Sequence, residues 1–357
     1  MGFTLSAIRR LAEGLGLAAC GVSDLRDSEY AAHLRRWLAE GRHGSMHYLE
    51  RHAELRARPS LVMPEAACAI VVADQYATRN AAESRTAPGY GRIARYARGR
   101  DYHVVLKKRL HLLCDALAVA SPGIRTRAFV DTAPLPEREL ASRAGLGWIA
   151  KNSLLIHPRL GSYLLLGGIL CDRPVEIDVE QPVVTDHCGT CTRCIDACPT
   201  DAITPYSVDA SRCVSYLTIE RRLPIEPQFH AGIGSWIYGC DVCQEVCPHN
   251  SPRGDEASIG SVFPAYRPTR EALDALAVLR WTDEQRADAF RSSAMKRATL
   301  AMMRRNAAIV LGNALRGHPD DPAAQAWSEG LRAVRDDPSE EPSLRELCAK
   351  ALGHAAT

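Results

Sequence analysis

The chain holds 357 residues, 46% of them hydrophobic and 24% charged, with a formal net charge of +2 at pH 7. That length is too great for one ordinary core, so two or three domains are expected, and the balance is that of a soluble globular protein. No apolar run approaches the roughly 20 residues needed to span a bilayer, and a net charge this small selects no partner by itself.

Residues 4–15 read as an amphipathic helix with Leu5, Ile8, Leu11, Ala12 and Leu15 on one face. The Arg9-Arg10 pair is followed by an acidic residue and two glycines rather than an apolar stretch and a cleavage site. A signal peptide is therefore not expected, and a cytoplasmic location is. A strand over 18–22 follows, then a helix over 28–40 capped by Ser28 and stopped by Gly41. The loop His43-Gly-Ser-Met46-His-Tyr48-Leu49 is dense in hydrogen-bonding groups, and beyond Arg58-Pro59 a buried strand is predicted over 69–72.

From Tyr90 the chain turns basic: Arg92, Arg95, Arg98, Arg100, Lys107, Lys108 and Arg109 are interrupted only by Asp101. The lysines read as the solvated face of a helix over 102–119. For the arginines flanking Tyr96 an anionic ligand is nearly as good a reading, because guanidinium forks match phosphates. A strand over 125–130 then delivers Asp131 at its exit, which suits a carboxylate facing a site, although Asp131 could equally cap the helix expected over 137–144. Gly145-x-Gly147 lacks the third glycine and the preceding strand of a dinucleotide fingerprint. Strands over 154–156 and 162–170 are expected to form a hairpin through 157–161, and 171–186 reads as a linker.

The stretch Cys188-x2-Cys191-x2-Cys194-x3-Cys198-Pro199 is the signature of bacterial-type ferredoxins, in which three cysteines hold one [4Fe–4S] cube and the fourth reaches to the other. Cys240-x2-Cys243-x3-Cys247-Pro248 repeats it with the leading cysteine displaced upstream to Cys213. The crossover rule assigns Cys188, Cys191, Cys194 and Cys247 to one cluster, and Cys213, Cys240, Cys243 and Cys198 to the other. Zinc would need two C-x2-C pairs, which two triplets ending in Cys-Pro fit less well, and disulfides do not suit an intracellular chain. Cys20, Cys68, Cys114, Cys171 and Cys348 read as buried small hydrophobes. Two cubes in series move single electrons, so a two-electron reduction of an organic bond requires a second cofactor, expected in the upstream domain.

Residues 251–268 read as a second linker. Helices follow over 270–279, 283–290, 295–315, 322–334 and 343–352. Ala308-Ile-Val-Leu311-Gly312 matches Ala349-Lys-Ala-Leu352-Gly353, a spacing within that of HEAT-type helical pairs. The stretch holding Arg291, Lys296, Arg297, Arg304 and Arg305 contains no acid, so it reads as a phosphate-facing surface or, equally, a solvated one.

Together these motifs resemble the epoxyqueuosine reductase (QueG) family and, more distantly, the corrinoid reductive dehalogenases. The resemblance rests on His43-Gly-Ser-Met46-x-Tyr48-Leu49, Tyr96-Ala-Arg-Gly-Arg-Asp-Tyr102-His103, Val130-Asp131-Thr132-Ala-Pro134-x-x-Glu137-Arg138, Gly147-Trp148-Ile-Ala-Lys151-Asn152-Ser153 and Gly161-Ser162-Tyr163. The cluster set, Cys213-Val-Ser215 and Arg304-Arg-Asn306 complete it. Ala150 departs from the family's usual glycine.

The resemblance implies an α+β multidomain fold: an α/β cobalamin-binding catalytic domain over 1–180, a ferredoxin-like module with two [4Fe–4S] clusters over 181–255, and HEAT-like helices that bind tRNA over 256–357. It implies base-off cobalamin, reduction of epoxyqueuosine to queuosine at the wobble position of tRNA with GUN anticodons, a low-potential donor such as a flavodoxin or ferredoxin, and a monomer without membrane attachment. Asp131 matches the family's proton donor, a role requiring desolvation to raise its pKa well above about 4. Lys151, Asn152, Ser153, Ser162, Tyr163 and Ser215 are the corrin candidates, with Arg58 for a peripheral amide or the phosphate. Arg221, Arg222, Lys296, Arg297, Arg304 and Arg305 are the tRNA candidates. The alternatives are a dehalogenase-like corrinoid enzyme acting on a small molecule and a non-catalytic iron–sulfur electron-transfer protein.

Overall fold

The computed structural model describes residues 3–79, 86–251 and 262–353. Helix α1 (Leu5–Gly14) starts where the Thr4 side chain accepts the Ala7 N–H, and it buries Leu5, Ala7, Ile8 and Ala12. Strand β1 (Ala19–Ser23) follows, then α2 (Ala31–Ala39), α3 (Tyr48–Arg51) and α4 (Ala53–Ala57). Ser28 does not cap α2: its hydroxyl donates to Glu139 and accepts the Tyr30 N–H ahead of the helix, and residue 30 occupies the cap position without a side-chain bond. Next come β2 (Cys68–Gln75), β3 (Tyr90–Ile93), α5 (Tyr102–Ala120), β4 (Thr126–Val130), α6 (Glu137–Arg143), β5 (Trp148–Ile149), β6 (Leu155–Ile156) and β7 (Leu164–Cys171).

The first sheet has the order β1-β2-β7-β4 and is antiparallel throughout, with Cys68 opposite Cys171 and Gln75 opposite Leu164. Every residue of β2 is buried, because both faces of the sheet are covered. Ile70 and Val72 pack with Leu106, Leu110, Leu113 and Leu117 of α5, while Ala69, Val71 and Ala73 pack with Leu140, Ala141 and Ala144 from the α6 side. This alternation is the period-2 signature of a strand covered on both faces. The expected hairpin of 154–156 with 162–170 closes only at its turn, where His157 and Gly161 form an antiparallel bridge. β6 pairs with β5, whereas β7 enters the large sheet between β2 and β4.

The cysteine stretch contains α7 (Arg193–Asp196), the small hairpin β8 (Ile203–Thr204) and β9 (Ser207–Val208), α8 (Val214–Ile219), α9 (His230–Ile233), β10 (Trp236–Tyr238) and α10 (Val242–Glu245). Beyond it, β11 (Ala272–Asp274), α11 (Ala275–Leu279), α12 (Asp283–Ala289), α13 (Leu300–Gly317), α14 (Ala324–Asp336) and α15 (Pro342–Gly353) complete the chain. The helix expected over 270–279 begins only at residue 275, since Asp274 caps it by accepting from the Leu276 and Ala277 N–H groups. The helix expected from 295 starts at 300, capped by Thr299, after a short 3₁₀ turn over Ala294–Arg297.

A second sheet, β10-β3-β11, takes one strand from each of the three expected regions; β10 runs parallel and β11 antiparallel to β3. Part of the second expected linker, 252–261, lies outside the described residues. The remainder is anchored: Tyr266 gives its hydroxyl proton to Asp74 at 2.7 Å and receives a bond from Arg109 at 2.8 Å, inside the first core. In the helical region α13 and α15 touch along the matched segments, and a Cβ on Gly312 would come within 2.9 Å of the Ala351 Cβ. Among the described residues no helix is long and apolar enough to cross a membrane.

Candidate active site

A cavity of about 1080 Å³ opens beside the first sheet. Its walls include Trp37, Met46 and Tyr48 from the α2–α3 region, Asp131, Thr132 and Leu135 to Arg138, Ser153 to Leu155, Ser162 and Leu164 to Leu166, then Ser215, Tyr216, Ile219, Glu220 and Arg297. Asp131 leaves β4 in a left-handed conformation (φ 52°), a strained backbone that turns its carboxylate to the cavity. Its N–H donates to Glu137 Oε1 at 2.6 Å.

Asp131 Oδ2 lies 3.0 Å from His103 Nε2, and His103 Nδ1 lies 2.8 Å from Asp101 Oδ1. Asp101 is 2% exposed, also caps α5, and receives Lys296 Nζ at 2.6 Å on its other oxygen. The four groups form a chain from the cavity to the surface. Burial opposes charge on His103, but its bonds to Asp101 and Asp131 outweigh that and raise it to about 9. Asp101 is likewise pushed up by burial and pulled down further by His103 and Lys296, to about 2. For Asp131, burial raises the pKa, and the bond and charge of His103 more than reverse it, leaving the carboxyl below its ordinary value. The expectation of an Asp131 protonated near neutrality is thus corrected: the proton of this pair sits on the imidazole. Glu137 goes the other way, raised by burial and then by the Asp131 charge to about 8.

The eight cluster cysteines converge. Burial raises the Cys194, Cys213, Cys240, Cys243 and Cys247 thiols first, and neighbouring thiols raise these five further: Cys247 feels Cys188 and Cys191, and Cys194 feels Cys247, Cys188 and Cys191. Cys240 feels Cys213 and Cys198, and Cys213 feels Cys198. Cys243 feels Cys240, Cys213 and also Cys194, so two sets of four lie side by side. None of these thiols is in a disulfide.

Lys151 braces this module by donating to the Gly189 and Cys191 carbonyls at 2.6 and 3.0 Å, and Asn152 donates to Cys243 O at 3.4 Å. These two residues hold the module rather than line the cavity. Ser153, Ser162 and Ser215 do line it. Ser162 also donates to Gln244 Oε1 at 2.9 Å, next to Cys243, which ties the cavity to the Cys213–Cys240–Cys243–Cys198 set. Tyr163 is buried edge-on against Tyr76, with Arg95 5.4 Å above its ring, and Arg58 is an exposed partner of Glu54. Neither lines the cavity.

Most of the basic candidates are occupied internally. Arg305 is 7% exposed and donates to the Leu217, Arg221 and Leu223 carbonyls, each at 2.7 Å. Arg304 grips Glu340, Arg221 pairs with Glu226, and Arg297 forks onto Glu220. Lys296 pairs with Asp101, and Arg222 is exposed. Arg305 is therefore corrected from a surface contact to an internal brace. The arginines flanking Tyr96 are turned inward and do not line the cavity: Arg95 and Arg98 are buried, with Arg98 Nε on the Ile93 carbonyl and the Arg95 guanidinium 3.9 Å from Glu245.

Reasoning from sequence missed Glu137, Arg56 and His103 as site residues. Glu137 stood in a quoted motif, six residues after Asp131. His103 also stood in a quoted motif, and its spacing to Asp101 signals a hydrogen-bonded pair. Arg56 donates to Leu135 O at 3.1 Å and carried no such signal.

Two family models match: "4Fe-4S double cluster binding domain" over residues 187–250 and "Epoxyqueuosine reductase QueG, DUF1730" over residues 56–132. The epoxyqueuosine reductase of Pseudomonas aeruginosa is 37% identical over 332 residues, covering 91% of this chain and 88% of that protein. A crystal structure of an epoxyqueuosine reductase with an epoxyqueuosine-modified tRNA-Tyr stem loop superposes with a TM-score of 0.82 at 28% identity, over 99% of this chain and 90% of that one. The Bacillus subtilis enzyme, solved with its catalytic aspartate loop swung out of the active site, gives a TM-score of 0.83 at 28% identity, over 98% and 90% of the two chains. With this extent of similarity, a double-cluster cysteine module and a shared fold, the chain belongs to the epoxyqueuosine reductase family.

Proposed function

We propose that this protein reduces epoxyqueuosine to queuosine at the wobble position of tRNA, with two [4Fe–4S] clusters and cobalamin as its cofactors. The observation that carries this reading is a single cavity with Asp131, His103 and Glu137 on one side and, on the other, Ser162 and Ser215 placed against the cysteine module. The residues present fit a corrin: Leu154, Leu155, Leu164, Leu165 and Leu166 supply apolar wall, and Ser153, Ser162 and Ser215 bring hydroxyls suited to peripheral amides. When bound, cobalamin would supply a low-potential two-electron nucleophile, recharged by single electrons arriving through the clusters.

Removing the epoxide oxygen as water and restoring the carbon–carbon double bond consumes two electrons and two protons. His103 holds one proton at Nε2, against Asp131 Oδ2. Asp131, open to the cavity, passes it to the oxygen as negative charge develops there. Glu137, protonated near neutrality, holds the second within one residue's reach of the same position. Asp101 and Lys296 keep the imidazole in one orientation and connect it to solvent for reprotonation. A wobble base from a single-stranded loop reaches such a cavity at little unstacking cost. Arg297, exposed on the cavity wall, and Arg222, exposed two residues after the wall residue Glu220, suit the flanking phosphates, and a flavodoxin or ferredoxin suits the donor role.

The test is anaerobic turnover of epoxyqueuosine-tRNA by protein with reconstituted clusters and added cobalamin, read by mass spectrometry of the released nucleosides. Loss of one oxygen that requires cobalamin and falls about 10²–10⁴-fold in Asp131→Asn supports the reading. Cobalamin-independent conversion, or none with bound cobalamin, would overturn it.

A further inference from the structure

Among the described residues, one group of three His, Cys, Asp or Glu side chains brings its donor atoms within 4.8 Å of one another: His43, His47 and Glu50. They follow a His-x3-His-x2-Glu spacing, which stacks side chains on one face of a helical turn. The backbone supplies that turn: the Met46 N–H bonds to the His43 carbonyl, and the Arg51 N–H bonds to the His47 carbonyl. Glu50 stands between the two imidazoles. One carboxylate oxygen is 3.0 Å from His43 Nε2 and the other 3.2 Å from His47 Nδ1.

His43 is the unusual member. It is 4% exposed, packed near Trp37 with ring centroids 6.1 Å apart, and neither of its ring nitrogens has an aligned hydrogen-bond partner. A buried imidazole with no aligned hydrogen bond is costly, and here, among the described residues, only the Glu50 carboxylate, 3.0 Å from Nε2, stands near either ring nitrogen. Its Nε2 is aimed at the group where a second imidazole and a carboxylate already meet. His47 and Glu50 are respectively 66% and 46% exposed, which leaves the outer side open to water.

We propose that His43, His47 and Glu50 form a zinc site outside the catalytic cavity. Two neutral imidazoles, one carboxylate and a solvent molecule make a four-coordinate N/O set suited to Zn²⁺, and two imidazoles argue against Ca²⁺ or Mg²⁺. The role is positional. Met46 and Tyr48, which lie between the ligands in sequence, form cavity wall, and the neighbouring Ser45 N–H donates to the Tyr216 hydroxyl at 2.7 Å. An ion here fixes that wall against α8, the helix that follows Cys213. It touches neither the substrate nor the clusters.

The experiment uses holoenzyme with both clusters assembled, so that the eight thiols are occupied. It is equilibrated with buffered zinc and freed of unbound metal. Zinc is counted by elemental analysis and its ligands are read by X-ray absorption at the zinc edge. One retained equivalent with a nitrogen/oxygen shell and imidazole outer-shell scattering is expected, lost in both His47→Ala and Glu50→Gln. Both changes alter exposed side chains, and circular dichroism checks that the fold is kept. A sulfur-containing shell, an equivalent retained by both variants, or no retained zinc would each overturn the proposal. None of these results depends on the substrate being epoxyqueuosine.

Discussion

His103 is the residue whose protonation most directly reports on the proposed chemistry. Its pKa is raised from 6.5 to about 9 by two carboxylates that outweigh burial. A raised cationic group stabilises the fold fully below its unfolded value and loses that contribution as pH climbs through the folded one. The imidazolium that supplies the proton is also lost there, so turnover limited by it should fall as pH rises through about 9. His103→Gln should abolish that limb and slow turnover about 10²-fold or more, while nitrogen NMR of the wild-type imidazole should titrate near 9. An imidazole titrating near 6.5 would disprove the pairing. At the same scale, Glu137→Gln removes the group that titrates near 8 and should erase a separate inflection there in the pH–rate profile.

The arginines divide by their partners. Arg305→Ala leaves three carbonyls without their charged donor and should cost about 3 kcal/mol of stability by denaturant unfolding. Arg222→Ala should leave stability unchanged and lower the salt slope of tRNA binding by about 1. Equal stability losses in the two variants would contradict this division.

At the level of elements, close packing sets a sharp expectation at Gly21 of β1. A Cβ there would stand 2.1 Å from the Ala144 carbonyl oxygen, at the end of α6. Gly21→Ala should destabilise by about 3 kcal/mol, measured by thermal unfolding, because two packed backbones must separate. The sequence announced those elements whose signal is local. The three-four periodicity marks α1 to within a residue at each end, the bounds expected for α5 and α6 fall within a residue of those observed, and the cysteine spacing marks the cluster module because ligand geometry restricts spacing directly. β3, β10 and β11 went unseen. Each is three or four residues long, and their partners lie far off in the chain, so neither periodicity nor turn chemistry encodes them. Basic residues around β3 suggested an anion site for the same reason: their acceptors, Glu245 and Asp241, arrive from a distant segment. In the candidate site Asp131 was legible from its place at a strand exit. The direction of its pKa shift was not, since that depends on His103 approaching from α5.

On the scale of the whole molecule, the β10-β3-β11 sheet ties the beginning, the cysteine module and the helical end into one arrangement. Asn306 of α13 extends the same tie by donating to the Thr218 and Ile237 carbonyls at 2.9 and 3.0 Å. That ordering has a consequence for how the protein is made. A ribosome releases the eight thiols before it releases β11, so the module that must capture iron and sulfide is exposed while one edge of β3 still lacks its neighbour. Pairing across such long loops is slow, so the sheet that joins the three regions can close only after the whole cysteine module has been made.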